Sequence, residues 1–354
     1  MALDEATAAL LAEMAAAGEP PLHQMTPSEA RDMRAARRAQ AAAGPAMASV
    51  RDTRVRVSGG YVPVRILNPG GLSFDRPCGV IVWYHGGGWV LGGLDDADPV
   101  GRTLAQRTAC TVVMVDYRLA PEYRYPTAVD DAWAALGWVA ARLPELAGGP
   151  VPLIVAGDSA GGNLAAIMAQ RAKAAGGPAI AAQVLVYPVT DCDLDTTSYR
   201  DPANQLLLSR DSMIWFWNHY APAPDARAHP DASPLRATDL TQLPPAVILT
   251  AEHDVLRDEG EVYATRLLKS RVPVRHRRLA GQMHGFFTMV DVLPGADAGM
   301  DFAADSLAEL LPARPDRAAG NGARSAHASR TQQLSPARHN SRESVELRTV
   351  AFFS

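Results

Sequence analysis

The sequence predicts an α/β fold, a mostly parallel sheet covered by helices on both faces. Three observations predict it. Apolar strand-like runs at Val80–Tyr84, Thr111–Val115, Leu153–Ala156, Gln183–Tyr187, Ala246–Thr250 and Val274–Leu279 alternate with helical stretches near 98–108, 126–144, 160–174 and 257–269. The runs lose the polar alternation of half-exposed strands, as strands buried on both sides do. A chain of 354 residues is also long enough to bury a sizeable core.

Taken in order, residues 1–45 read as Ala-rich helix broken at Pro20 and Pro21. Asp4, Glu5 and Glu13 and the lack of a basic stretch make its start an amphipathic helix, not an export signal. Strands around Thr53–Val57 and Val62–Leu67, joined by Gly59 and Gly60, suit a hairpin. The alternation of strands and helices then runs until residues 195–243 interrupt it with "MIWFWNHY" among Pro-rich loops. This insertion is expected to fold with the N-terminal helices as a lid over one end of the sheet. The expected division is 1–45 cap helices, 46–194 first part of the core, 195–243 cap insertion, 244–312 second part of the core, and 313–354 a disordered tail. The tail holds few apolar residues until its end, and its seven arginines outnumber Asp316, Glu343 and Glu346.

A formal charge of −4 supplies no broad basic field, so neither nucleic acid nor an anionic membrane surface is an expected partner. Cys78, Cys110 and Cys192 are scattered, odd in number and without a CxxC pair; they are expected to be reduced and buried, with no disulfide or zinc site. "DCDLD", Asp191–Asp195, begins like a calcium loop, but Thr196 and Pro202 stand where the loop needs Gly and Glu. No metal is expected. No apolar run reaches the length of a membrane span, and the cytoplasm is the expected location.

"GDSAGGNLA", 157–165, follows the run ending at Ala156. In G-x-S-x-G between a strand and a helix, the turn is so tight that Gly157 and Gly161 must lack side chains, and Ser159 is pushed out at the strand's C-terminal end. The helix opening at Ala160 aims unpaired N–H groups at charge forming near that serine. An ordinary strand-to-helix turn is the rival reading.

A second loop at the same sheet edge, "HGGGW", follows Tyr84. Consecutive glycines let several N–H groups converge on one oxyanion. Gly86 and Gly87 are the chosen donors, with Ala160 as the third. A phosphate loop would need GxxxxGK[ST] or GxGxxG, and neither is present. His85 reads as an orienting histidine.

A serine nucleophile needs a base, and the base a carboxylate. "AEHDVLRDEG" after the strand ending at Thr250 offers Glu252, Asp254, Asp258 and Glu259. Asp254 stands just past the strand and is preferred; Asp258 and Glu259 fall in the first turn of the next helix, where acids also serve its dipole. "GQMHGFF" after the last strand offers His284, preferred over His253, which flanks the acid, and His276, which lies inside a strand pattern.

"HGGGW", "DYRLAPEYRYP" at 116–126, "GDSAGGNLA", "HDVLRDEG" and "MHGFF", in this order, resemble the bacterial hormone-sensitive-lipase family of carboxylesterases, in its GDSAG branch. The resemblance spans about 45–312, with Val255 in place of the proline often found after the acid. It implies an eight-stranded α/β-hydrolase core with a helical cap, no metal or organic cofactor, and a triad of Ser159, Asp254 and His284 with Gly86, Gly87 and Ala160 as oxyanion donors. It further implies a small-molecule ester of short to medium acyl chain as substrate, and a homodimer through the edge strand near 274–279. Trp89, Trp215 and Phe286 are candidates for the substrate pocket. Arg118 and Glu122 read as an ion pair or loop clamp, and Asp158 as a tether for the elbow. Two other readings use the same fold: a non-catalytic receptor like the plant gibberellin receptors, which resemble this family but lack its histidine, and an amidase, lactonase or acyltransferase using the same triad.

Overall fold

The computed structural model describes residues 2–38, 43–70 and 79–311. Cys78 and the expected disordered tail lie outside the described residues. The strands are β1 (Ser49–Val57), β2 (Gly60–Asn68), β3 (Val80–Tyr84), β4 (Thr111–Val115), β5 (Leu153–Asp158), β6 (Ala182–Val186), β7 (Ala246–His253) and β8 (Val274–Met283). The helices are α1 (Glu5–Ala16), α2 (Pro27–Arg38), α3 (Leu94–Thr108), α4 (Thr127–Ala140), α5 (Leu143–Ala147), α6 (Ala160–Ala175), α7 (Thr197–Arg200), α8 (Arg210–Tyr220), α9 (Pro224–Arg227), α10 (Arg257–Lys269) and α11 (Pro294–Leu310).

Among the described residues the strands form one sheet in the order β1-β2-β4-β3-β5-β6-β7-β8. β1 and β2 make the expected hairpin, with Val57 opposite Gly60, and β2 runs antiparallel to β4. From β4 to β8 every pairing is parallel. Side chains alternate across this sheet. Val80, Val82 and Tyr84 of β3 and Val155 of β5 enter one core with α4, α6 and α10. Ile81, Trp83, Ile154 and Ala156 enter the other, with α3 and α11. Helices on both faces explain why β3, β4, β5, β6 and β7 are buried throughout their lengths.

Three local differences from the sequence reading have physical reasons. The single helical stretch expected over 126–144 is two helices, because Pro144 lacks an N–H to continue α4 and instead sits in the first turn of α5. β8 runs on to Met283, past a register shift against β7 between Ala251 and His253. Cys192 is half-buried, not buried, whereas Cys110 is buried as expected.

The N-terminal helices are tied to the sheet by polar contacts. Asp4 caps α1 by accepting from Thr7 N, takes a further bond from Gln282 Nε2, and donates its own N–H to Gly281 O. Arg31 of α2 donates to the carbonyls of Val90 and Ala120 and pairs with both carboxylate oxygens of Glu122.

Candidate active site

Parallel strands deliver their C-terminal ends to one edge, which is where an open α/β sheet offers a crevice. His85 directly follows β3, Ser159 follows β5, Asp254 follows β7 and His284 follows β8. At the elbow, Ser159 adopts φ 54° and ψ −116°, a conformation that L-residues rarely hold. Its N–H donates to Val186 O at 2.9 Å. The turn closes only because two residues lack Cβ atoms: one on Gly161 would overlap Tyr84 O, and one on Gly157 would overlap Gly161.

The serine, histidine and aspartate chosen from sequence meet. His284 Nε2 lies 3.1 Å from Ser159 Oγ, and its Nδ1 lies 2.8 Å from Asp254 Oδ2. A carboxylate facing Nδ1 keeps the proton there and leaves the Nε2 lone pair toward the serine hydroxyl. Asp254 is buried, and its other oxygen accepts from Leu256 N at 2.9 Å. Such a relay makes a weakly nucleophilic hydroxyl reactive.

The competing groups are engaged elsewhere. His276 Nε2 lies 3.1 Å from Thr250 Oγ1, and burial lowers its pKa. Asp258 accepts from Ser198 N. Glu259 is buried, accepts from the N–H groups of Thr190 and Asp191, and has its pKa pushed well up by burial. Glu252 accepts from Gly281 N.

The glycine loop requires one correction. Gly86 N–H donates to Asp158 Oδ1 at 2.8 Å, so it is spent on a carboxylate and cannot also serve an oxyanion. Among the described residues no acceptor takes the N–H of Gly87, Gly88 or Ala160. His85 orients this loop, with Nδ1 2.7 Å from Gly86 O and its ring stacked on Tyr117 at 4.4 Å. Burial pulls its pKa down to about 4, which keeps the ring neutral. Arg118 and Glu122 are both ion-paired, but not to each other: Arg118 binds Asp131, and Glu122 binds Arg31.

Of the three pocket candidates, Trp89 is wholly buried, stacked on Tyr220 at 4.1 Å and tilted against Trp217 at 4.8 Å. Phe286 is likewise buried, between Tyr187 and Phe287. Trp215 is partly buried, donates Nε1–H to Met25 O and meets Phe216 edge-on. Sequence reasoning passed over Tyr187, whose ring lies 4.5 Å from that of His284 with φ 34° just beyond β6. As the last apolar residue of a strand-like run it carried no signal.

A family model described as alpha/beta hydrolase fold matches residues 81–288. The chain is 45% identical over 238 residues to carboxylesterase NlhH of Mycobacterium tuberculosis, covering 66% of this chain and 74% of that one. It is 36% identical over 261 residues to ethyl acetate hydrolase of Pseudomonas putida, covering 72% and 80%. The crystal structure of a thermostable esterase from Pseudomonas putida superposes with a TM-score of 0.82 at 36% identity, covering 88% of this chain and 99% of that one. A hyperthermophilic esterase from Pyrobaculum calidifontis does so at 0.81, with the same identity and coverage. With more than half of its length matched and its sheet edge built around a serine elbow, this chain belongs to the α/β-hydrolase-fold family that includes these esterases.

Proposed function

We propose that the protein is a serine carboxylesterase that cleaves esters of short to medium acyl chain through an acyl-enzyme intermediate. The observation that carries this reading is the unbroken hydrogen-bonded path from Ser159 through His284 to Asp254, 3.1 Å and 2.8 Å long. Ser159 Oγ attacks the ester carbonyl while His284 Nε2 takes its proton, and Asp254 steadies the imidazolium that results. The N–H groups of Gly87, Gly88 and Ala160 hold the tetrahedral oxyanion, and the positive end of α6 adds to the field there. His284 then protonates the departing alcohol and activates the water that frees the acyl group. None of these steps calls on a metal or an organic cofactor.

The receptor alternative is disfavoured because a histidine stands within hydrogen-bond reach of the serine. An ethyl acetate hydrolase among the relatives fits a small acyl group. Within this reading, residues 1–45 and 195–243 form the cap over the core segments 46–194 and 244–312. The enzyme works in the cytoplasm without nucleic-acid partners, and β8, the terminal strand of the sheet, pairs two copies. Among the described residues no helix is long and apolar enough to cross a membrane.

Hydrolysis of p-nitrophenyl esters of graded acyl length by wild type and Ser159→Ala tests the reading. Turnover by wild type that is lost in the variant is the expected result. Equal rates for both proteins on every ester, amide and lactone tried would overturn it.

A further inference from the structure

We infer that Glu259 is a positioning residue: it fastens the segment that grips the nucleophile to the helix that follows the acid, so that Ser159 and Asp254 keep their spacing on either side of His284. The inference rests on the proposed esterase reaction and adds to it a residue outside the triad. The path starts at the elbow. Ser159 N–H donates to Val186 O at 2.9 Å, and Ser159 O accepts from Val189 N at 3.2 Å, so residues 186–189 hold the nucleophile at both ends of its backbone. Asn163 Nδ2 donates to Val189 O at 2.9 Å and ties α6 to the same segment.

Glu259 closes the path from the side of the acid. It lies in the first turn of α10, and Asp254 is bonded to the start of that helix, its Oδ1 accepting from Leu256 N at 2.9 Å and its backbone O from Arg257 N at 3.2 Å. Glu259 Oε1 accepts from Thr190 N at 2.7 Å and from Asp191 N at 3.2 Å, and Glu259 O accepts from Thr190 Oγ1 at 2.9 Å. Packing follows the same line. A Cβ on Gly162 of α6 would lie 3.0 Å from Pro188 Cβ, and one on Gly260 of α10 would lie 3.7 Å from Pro188 Cδ, so Pro188 is wedged between the two helices.

The carboxyl acts as a neutral acid. Glu259 is buried, and the charges that act on it, those of Asp191 and Asp254, are both negative. Burial is the largest influence and, with these charges, outweighs the two N–H donors, which leaves the group protonated. The other carboxylates beside it have cations of their own: Asp191 pairs with Arg236 at 2.5 Å and Asp258 with Arg257 at 3.0 Å. Glu259 Oε2 and the hydroxyl of Tyr199 in α7 are both buried without a hydrogen-bond partner among the described residues, and the carboxyl acts on that phenol. A proton on Oε2 gives the hydroxyl oxygen a donor. The fastening thus needs an acceptor oxygen of the right reach and not a charge.

The test compares Glu259→Gln, Glu259→Asp and Thr190→Val with wild type, each as the full chain, on p-nitrophenyl butyrate. Stoichiometric p-nitrophenol release from diethyl p-nitrophenyl phosphate counts the competent serines, so kcat is expressed per site and a loss of folded protein is separated from a loss of alignment. Glu259→Gln keeps a neutral acceptor at full reach, and its kcat per site is expected to stay close to that of wild type. Glu259→Asp draws the acceptor back by one methylene; its kcat per site is expected to fall about 100-fold, the cost of a misplacement of about 1 Å, with KM little changed. Thr190→Val removes the hydroxyl bond and leaves the N–H bonds, so a smaller loss in the same direction is expected; it carries the test where Glu259→Asp yields too few competent sites. Fewer sites with an unchanged kcat per site, in both Glu259→Asp and Thr190→Val, would make Glu259 a residue of stability alone and overturn the inference. A loss in Glu259→Gln as large as that in Glu259→Asp would assign the effect to a negative charge and overturn it as well. No turnover and no phosphorylation in wild type overturn the esterase reading itself.

Discussion

Asp158 Oδ1 accepts the N–H of Gly86 at 2.8 Å, so the residue just before the nucleophile grips the first glycine of the loop that faces it. Asp158 is buried, and a Cβ on Gly86 would overlap its carboxylate. The elbow and the oxyanion loop are thereby locked as one unit. With Gly86 spent, the next two glycines are the ones left to meet a substrate oxygen.

This lock predicts a graded response at one position. Asp158→Asn keeps an acceptor oxygen for Gly86 and should lose no more than about tenfold in kcat. Asp158→Ala frees the loop and should lose about 100-fold in kcat with KM little changed, as expected for donors that act mainly in the transition state. Steady-state kinetics on one p-nitrophenyl ester distinguishes the two. Equal, small losses in both variants would mean that the loop holds its place without the carboxylate.

The same carboxylate predicts a pH dependence of stability. Burial pushes Asp158 up to about 6, against the opposing pull of the Arg34 charge, the Gly86 N–H and His284. In the unfolded chain an aspartate titrates near about 3.9. The folded protein therefore binds this proton more tightly, and raising the pH through that interval costs stability, by on the order of 3 kcal/mol once both states are ionised. Asp158→Asn has no such titration. The stability of the variant minus that of wild type should climb between about pH 4 and pH 7 and then level off. Urea unfolding across that range measures it, and a flat difference would contradict the assignment.

Three histidines compete for the role of base, and their surroundings rank them. His284 alone of the three touches Ser159, while His276 bonds Thr250 and His253 flanks the acid. His284→Ala should cut kcat by at least about four orders of magnitude, as removal of a base from such a relay does. His276→Ala should stay within about twofold of wild type, since His276 sits near the start of β8, the end opposite to the one that leads into His284, and is bonded to Thr250. Comparable losses in both variants would reopen the choice.

How far these features could be read beforehand depended on the range of the interaction concerned. Ser159 and His284 were legible because a tight elbow and a post-strand loop restrict residue types locally. The free N–H groups were not, because Asp158 reaches back across 72 positions to take one of them. The partner of Glu122 was hidden for the same reason: Arg31, 91 residues before it, supplies the cation, while Arg118 clamps the loop through Asp131 instead. Helix α11 was passed over because "PGADAGMDFAADSLAEL" carries a weak apolar stripe, and packing on α3, β7 and the short turn Phe286–Thr288 settles its place. Parallel strands, by contrast, announced themselves through unbroken apolar runs.

The buried half of the Arg118–Asp131 pair predicts a far larger cost to stability than an exposed pair carries. Asp131 has no exposed side-chain surface and accepts from Arg118 N, Nε and Nη2 at 3.1, 2.9 and 2.6 Å. Arg118→Ala would strand that carboxylate inside the protein, which typically costs about 3–5 kcal/mol. Arg51 and Glu145, more than half exposed on both sides, form a pair whose loss should cost at most about 1 kcal/mol. Asp131→Asn should fall between the two, because the neutral amide keeps one acceptor for Arg118, whose own side chain reaches solvent. Urea midpoints at constant slope give the three values. If Arg118→Ala unfolded no more easily than Arg51→Ala, burial of the aspartate would have to be compensated by a partner other than arginine, and the clamp on the "DYRLAPEYRYP" loop would lose its energetic basis.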